Sequence, residues 1–403
     1  MKILQLCHKP PYPLVDGGCI AINNITQGLL QSGHTVRVVA VETPKHPVVT
    51  TAFPLDYLQN TRFESIFMDT SIHLSDALTA VAKRKSYQIS RFFSQSMSSK
   101  LIHILQNEEF DMIHIESIYM TSYIDLLRKY SNAKIVIRLH NIEHQIWERL
   151  AANERNPLKK IVYRVNARQL RRVERTILNK MDGYMAISQP DEQFFAATAP
   201  HVTGTVIPFG LDLDKYEDEA DYIPSDEPTL FHIGSMNWAP NVEGIEWFLD
   251  EVWPEIQERH PEIEFYIAGY AIPEKLYARN ERNVHVVGAV PVANDFMLSH
   301  DLMVVPLLSG SGIRIKIVEA MALGKVVITT SVGAQGLDVE NGKHLFIADT
   351  PEEFRMVIDK CVTTPDLCKI IGENARNFIS VYHNNRLITN QIVDFYNTII
   401  NKE

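Results

Sequence analysis

Residues 306–324 read PLLSGSGIRIKIVEAMALG, closing one β-branched apolar run, LMVVPL at 302–307, and leading into another, KVVITT at 325–330. A short apolar run, a turn with two glycines, an apolar-periodic stretch and a second short run spell strand, turn, helix, strand. The helix is expected over 312–323. Both runs are apolar almost throughout, as strands are when helices cover both faces of a parallel sheet. The stretch therefore places the chain in the α/β class.

The same rhythm extends in both directions. Upstream lie TLFHIG at 229–234, a helix expected over 241–260, EFYIAG at 264–269 and VHVVGAV at 284–290; downstream lies HLFIAD at 344–349. The first half repeats it with KILQLCH at 2–8, an amphipathic stretch at 19–31 closed by Gly33, TVRVVAVE at 35–42, DMIHIE at 111–116, KIVIRLHN at 134–141 and GYMAIS at 183–188. At 403 residues the chain exceeds what one core sustains. Two doubly wound Rossmann-like domains facing a cleft follow. Their expected extents are 1–208 for the first domain, an acidic linker at 209–228, a second domain at 229–383, and a C-terminal helix at 384–403 able to pack back on the first domain.

A net charge of −10 argues against non-specific nucleic-acid binding. Charge is uneven: residues 154–180 carry nine Lys or Arg, from Arg155 to Lys180, against Glu154 and Glu174. Such a stretch can rest on anionic lipid headgroups, although most charged helix faces are merely solvated. Lys83, Arg84, Lys85 and Arg91 form a second basic cluster. The four cysteines make no CxxC pair, the N-terminus MKILQLCHKPPYP meets prolines before a signal core forms, and no 18-residue apolar run occurs. A cytoplasmic protein is expected, with the inner membrane face open to it as a peripheral surface.

Ligands in such sheets bind beyond the carboxyl ends of the strands, so the loops there carry the chemistry. In the opening stretch, Gly310, Ser311 and Gly312 let backbone approach a ligand, and the following helix start offers amides to an anion. Arg314 and Lys316 fall in what should be the first helical turn, where the helix dipole disfavours cations unless an anion is bound beside them. Glu319, on an otherwise apolar cylinder, needs a partner; paired ribose hydroxyls would suit it. The plainer alternative is an internal Lys316–Glu319 ion pair. Ile315 stands where GxGxxG would need its third glycine, so this is no dinucleotide fingerprint.

After the first strand, Asp16-Gly17-Gly18 forms a flexible turn opening a helix. His140 closes KIVIRLHN, a place from which it can contact a sugar hydroxyl or developing positive charge, with Glu143 just beyond. The five residues HNIEH at 140–144 fit a zinc-peptidase pattern. That chemistry needs both histidines on one continuous helix, whereas His140 ends a strand. Asp212-Leu213-Asp214 resembles the DxD metal motif of a sugar-transferase fold but enters the acidic linker, where a structural or solvated role is favoured.

Taken in order, DGGCIAI, GHTVRVVA, RLHNIEHQIWER, MAIS, VIPFGLD, GSMNWAPNVEGIEWFLDEVWPEI and EAMALGKVVITT resemble the family-4 retaining glycosyltransferases of the two-Rossmann GT-B fold (glycosyl transferases group 1). The resemblance runs through nearly the whole length. It implies transfer of a sugar from a UDP- or GDP-linked donor to a glycan or lipid-linked acceptor, with retained configuration, no metal and no further cofactor. Carried over by position, Glu319 binds the donor ribose, Gly17 and Gly18 lie beside the donor diphosphate and sugar, the nucleobase sits near Gly288, and His140 contacts the sugar near the reacting carbon. Gly234, Gly310, Ser311 and Gly312 complete the donor side, and Glu116 and Glu143 are acceptor-side candidates.

Two positions depart from the family. Its usual earlier glutamate is Ser311 here, and IGSMNWAPN at 233–241 lacks the usual Arg and Lys. Arg314 and Lys316 are expected to supply the missing positive charge to the diphosphate. An epimerase or hydrolase acting on sugar nucleotides, and more remotely a non-catalytic sugar-binding protein, are the competing readings, because fold does not fix reaction.

Overall fold

The structure, a computed structural model, describes residues 1–14, 16–70, 86–154, 156–216, 228–310 and 312–402. Ser311, Arg155, the Lys83–Lys85 cluster and 217–227 of the acidic segment lie outside these. The chain divides into two units, Met1–Gly210 with Asn385–Glu403, and Leu211–Asn384.

The first unit is a seven-stranded sheet of β1 (Lys2–Cys7), β2 (Thr35–Glu42), β3 (Glu64–Phe67), β4 (Met112–Glu116), β5 (Lys134–Leu139), β6 (Gly183–Ala186) and β7 (Thr203–Val206). Its order is β3-β2-β1-β4-β5-β6-β7, every pairing parallel. Successive strand residues serve opposite faces: Leu4 and Leu6 enter one buried cluster with Val39 and Val41, while Ile3 and Cys7 enter another with Val38 and Ala40. Helix Asn385–Ile400 joins this second cluster through Ile388, Ile392 and Tyr396. It lies so close to helix Gly17–Gln31 that a Cβ on Gly28 would fall 2.0 Å from Thr389 Oγ1.

The second unit repeats the plan with β8 (Leu230–Ile233), β9 (Phe265–Ala268), β10 (Val284–Gly288), β11 (Leu302–Val305), β12 (Val326–Thr329) and β13 (Phe346–Ile347), in the parallel order β10-β9-β8-β11-β12-β13. In each sheet the order reverses beside the first strand, at β1/β4 and β8/β11, and such switch points are where α/β sheets bind ligands.

Three local expectations shift. The helix expected at 241–260 is two, Ala239–Glu251 and Trp253–Arg259, because Pro254 has no N–H to continue the ladder and fits only a first turn. The first helix starts at Gly17 rather than Cys19, since Asp16 caps it. The helix expected at 312–323 is Ile315–Ala322, because Gly312 has φ +82° and Arg314 is extended at the N-cap. Arg314 thus precedes the helix and only Lys316 lies in its first turn.

Candidate active site

In the second unit the turn after β11 is shaped by Gly310 at φ +123° and Gly312 at φ +82°, a region that penalises other residues. A Cβ on Gly310 would lie 2.8 Å from both the Trp238 ring and Arg314 Nη2. The Arg314 guanidinium is buried, stacks 5.0 Å from the Trp238 ring and donates to the Gly312 carbonyl at 2.8 Å. Burial lowers its pKa to about 10, which leaves it cationic at neutral pH.

Lys316 turns back to the switch point. Its Nζ donates to Asn241 Oδ1 at 2.8 Å and to His232 Nε2 at 3.2 Å. His232 Nδ1 faces the Val304 carbonyl at 2.7 Å, which only accepts, so the proton sits on Nδ1 and Nε2 is left to receive the ammonium. Burial and the neighbouring Lys316 hold the His232 pKa far below its usual value, so the ring is neutral. Gly234 is pressed against this group: a Cβ there would sit 2.9 Å from Lys316 Nζ. Desolvation, then Arg314, lowers the Lys316 pKa to about 7.

Glu319 is one turn further along. Desolvation raises its pKa to about 7, opposed by a hydrogen bond with Tyr216. No ion pair among the described residues joins Lys316 to Glu319, so the plainer reading of the two as an internal pair fails. A cation and a carboxylate, both partly buried, stand on one short helix with uncharged side chains as their hydrogen-bond partners. Gly288, at φ +88°, ends β10 with the Tyr277 hydroxyl 3.0 Å from where its Cβ would be.

The first unit is built differently. Glu116 ends β4 fully buried, with Gln5 Nε2 at 3.1 Å, His114 Nε2 at 3.2 Å, His140 Nε2 at 3.1 Å and Arg138 Nη1 at 3.8 Å. Burial opposes its ionisation, but His114, His140 and Arg138 outweigh that and keep it a carboxylate. An acceptor has no access to it here, which corrects its expected acceptor-side place: Glu116 holds His140. Desolvation lowers the His140 pKa against the pull of Glu116, so a neutral ring donates from Nε2 and keeps Nδ1 as an acceptor.

Around His140 stand residues that local sequence patterns did not single out. His8 binds the Glu116 carbonyl through Nδ1 at 2.8 Å, its ring 5.7 Å from that of His140 and 6.2 Å from that of Tyr119. Tyr119 donates to Glu143 Oε2 at 2.7 Å, and desolvation, only partly offset by this bond, raises the Glu143 pKa to about 7. His144 on helix Glu143–Asn153 binds Glu174, so the two histidines of HNIEH serve different carboxylates from different elements.

The flexible turn expected at Asp16 is tied down by its carboxylate. Asp16 Oδ1 accepts from the amides of Gly18 at 2.9 Å and Cys19 at 3.0 Å and from Lys9 Nζ at 2.6 Å, while Oδ2 takes His46 Nε2 at 2.9 Å. Burial disfavours this carboxylate, but His46 and Lys9 overcome it and hold its pKa below the usual range. The loop also presents Lys9, whose Nζ would meet a Cβ on Gly18 at 2.4 Å. Asp212 pairs with Lys215 at 3.5 Å in a short 3-10 turn.

One signal could have found several of the missed partners: Gln5, His114 and His232 are lone polar residues inside apolar strands, and a buried polar group needs a partner. Lys9, His46, Asn241 and Tyr216 lie in loops or at helix starts and gave no such signal.

The family described as Glycosyltransferase Family 4 matches residues 15–215, and that described as Glycosyl transferases group 1 matches 227–364. A Klebsiella pneumoniae relative, an uncharacterized 44.6 kDa protein in the cps region, is 24% identical over 403 aligned residues, covering 97% of this chain and 98% of the relative. Among solved structures, sucrose-phosphate synthase from Thermosynechococcus elongatus superposes with TM-score 0.69 at 17% identity over 99% of both chains. Anabaena HepE, solved in complex with UDP, gives 0.65 at 16% identity over 99% of this chain and 100% of that one. With both halves matched in order and two parallel Rossmann-like sheets, the chain belongs to the group 1 (family 4) glycosyltransferases and has the GT-B fold.

Proposed function

We propose that this glycosyltransferase takes its sugar from a UDP- or GDP-linked donor and passes it, with retained configuration and without a metal, to a glycan or lipid-linked acceptor in surface polysaccharide or glycoconjugate synthesis at the cytoplasmic face of the membrane. The observation that carries this reading is the Lys316–Glu319 helix start at the β8/β11 switch point. Its cation and carboxylate have uncharged partners, an arrangement that an anionic diphosphate and a ribose would complete. HepE's complex with UDP supports the donor class, and the Klebsiella relative's cps region supports the polysaccharide setting.

In the proposed reaction the donor's C1–O bond breaks, the acceptor hydroxyl forms the new C1–O bond on the same face, and its proton passes to the departing diphosphate oxygen. Lys316 and Arg314 stabilise the charge that develops on that diphosphate. His140, its Nε2–H committed to Glu116, offers Nδ1 to a sugar hydroxyl near the reacting carbon. Glu143, whose pKa burial raises to about 7, is the acceptor-side candidate.

A thermal-shift screen of UDP- and GDP-sugars tests the donor. One nucleotide series should raise the melting temperature in the native protein and not in Glu319→Ala; absence of any shift across both series sinks the reading. Following the responding donor with and without acceptor separates transfer from hydrolysis and epimerisation, which proceed with no acceptor present.

A further inference from the structure

His8 and His140 leave the first sheet at the carboxyl ends of β1 and β5, and β4, which ends in Glu116, runs between those strands. Glu116 is in register with Cys7 on one side and Arg138 on the other. Both imidazoles are anchored on this one residue. His8 Nδ1 meets the Glu116 backbone carbonyl at 2.8 Å, and His140 Nε2 meets its Oε2 at 3.1 Å. A carbonyl and a carboxylate only accept, so His8 carries its proton on Nδ1 and His140 carries its proton on Nε2. The outward nitrogens, His8 Nε2 and His140 Nδ1, have no hydrogen-bond partner among the described residues.

Both side chains are partly buried, their ring centroids 5.7 Å apart. Desolvation, then Lys9 and His140, pushes the His8 pKa down to about 3, and desolvation lowers that of His140, so both rings are neutral and both outward nitrogens present lone pairs. Lone pairs accept hydroxyl protons and repel anions. Lys9 is paired with Asp16 at 2.6 Å and Arg138 lies buried 3.8 Å from Glu116, so both nearby cations already have a carboxylate. A metal needs more ligands than two imidazoles, and no three His, Cys, Asp or Glu side chains among the described residues are placed to hold one. The Tyr119 ring, 6.2 Å from His8 and stacked on Phe92 at 5.0 Å, adds an apolar face at the same edge. Acceptor nitrogens beside an aromatic face match the hydroxyls and C–H face of a neutral pyranose.

We propose that His8 and His140 form a two-point site for the transferred sugar, His8 Nε2 accepting a proton from one hydroxyl of a neutral pyranose and His140 Nδ1 from another. The inference rests on the proposed donor reading, in which His140 meets the sugar. It adds a second sugar-contacting residue from a different loop and the class of group recognised there. Two contacts fix the rotation of the ring where one leaves it free to turn, and a sugar lacking either hydroxyl leaves a partly buried nitrogen unpaired.

The test is calorimetry on the full chain, without acceptor, comparing UDP-glucose, UDP-galactose, UDP-N-acetylglucosamine and GDP-mannose with free UDP and GDP. His8→Asn keeps an amide donor for the Glu116 carbonyl but has nothing in the place of Nε2. It should weaken the bound sugar donor about fivefold and leave the free nucleotide within about twofold of native. His8→Gln, whose amide oxygen reaches the place of Nε2, should hold the donor within about twofold of native. Equal losses in donor and free nucleotide, full donor binding by His8→Asn, or weaker donor binding by His8→Gln than by His8→Asn, the order a purely structural anchor would give, each overturns the proposal. So does a native chain that binds a free nucleotide and none of these donors. Binding of neither nucleotides nor donors is instead the failure of the donor reading itself, and removes this inference with it. Nitrogen-15 imidazole spectra of the native chain at neutral pH, assigned through His8→Asn and His140→Asn, give a readout that needs no ligand. His8 should be protonated at Nδ1 alone and His140 at Nε2 alone; an imidazolium or the reverse tautomer at either ring overturns the site.

Discussion

Glu116 and Glu319 both stand at the carboxyl side of a parallel sheet beside its switch point, yet their surroundings are opposite. Glu116 is fully buried among His114, His140 and Arg138, and its charge is compensated within the folded unit. Glu319 is partly buried with the Tyr216 hydroxyl as its partner, and Lys316 one turn earlier has Asn241 and a neutral His232. A compensated cluster keeps its ionisation and gains rigidity. Charges held by uncharged partners drift toward neutral pH, as Lys316 and Glu319 do at about 7, and regain full ionisation when a countercharge arrives. The first region is therefore scaffold for His140, and the second is where the proposed donor would bind.

The comparison breaks most visibly at Glu116. Glu116→Ala leaves Arg138 buried without its carboxylate and should cost about 3–5 kcal/mol of stability; a chemical-denaturation curve like that of the native protein would return Glu116 to the solvent side. Lys316→Met should leave the fold intact and lower kcat roughly 100- to 1,000-fold, as loss of one preorganised donor to developing charge does. Steady-state rates with the identified donor check this. Glu319→Ala removes bonds made to a charged group and should weaken nucleotide binding by about 1.5–3 kcal/mol, read by calorimetry with the free nucleoside diphosphate.

The smallest effect is the most diagnostic. In the proposed complex Lys316 holds the diphosphate only when protonated, so affinity should be complete well below pH 7 and fall as pH rises through about 7, by at most about tenfold per unit. In the same proposal Glu319 accepts the ribose hydroxyls only when ionised, so its contribution should be lost as pH falls through about 7. Native affinity should then peak near neutrality. Lys316→Met should keep only the acid limb and Glu319→Gln only the alkaline one. Calorimetric titrations across pH that show both limbs surviving in either variant would place the titrations elsewhere.

Much of this was legible in the chain. The alternation of short apolar runs with amphipathic stretches located both sheets, and SGSG before an apolar-periodic run marked the turn at the second switch point. The helix start was misplaced because Gly312 holds a positive φ and keeps Arg314 outside the helix. The turn at Asp16 read only as a flexible glycine turn because His46, which helps hold the Asp16 carboxylate, lies 30 residues away. Glu116 looked available because nothing local says that three cationic or protonatable side chains converge on it.

The sequence by itself determined the α/β class, the doubling of the fold, the glycine turn and the candidacy of Lys316 and Glu319, because strand and helix periodicity and glycine geometry act over a few residues. Which charges are compensated was settled by packing in three dimensions. Lys316 meets Asn241 and His232 across 75 and 84 residues, and Asp16 meets His46 across 30. Electrostatic compensation depends on distance and desolvation in space, and neither is written in spacing along the chain.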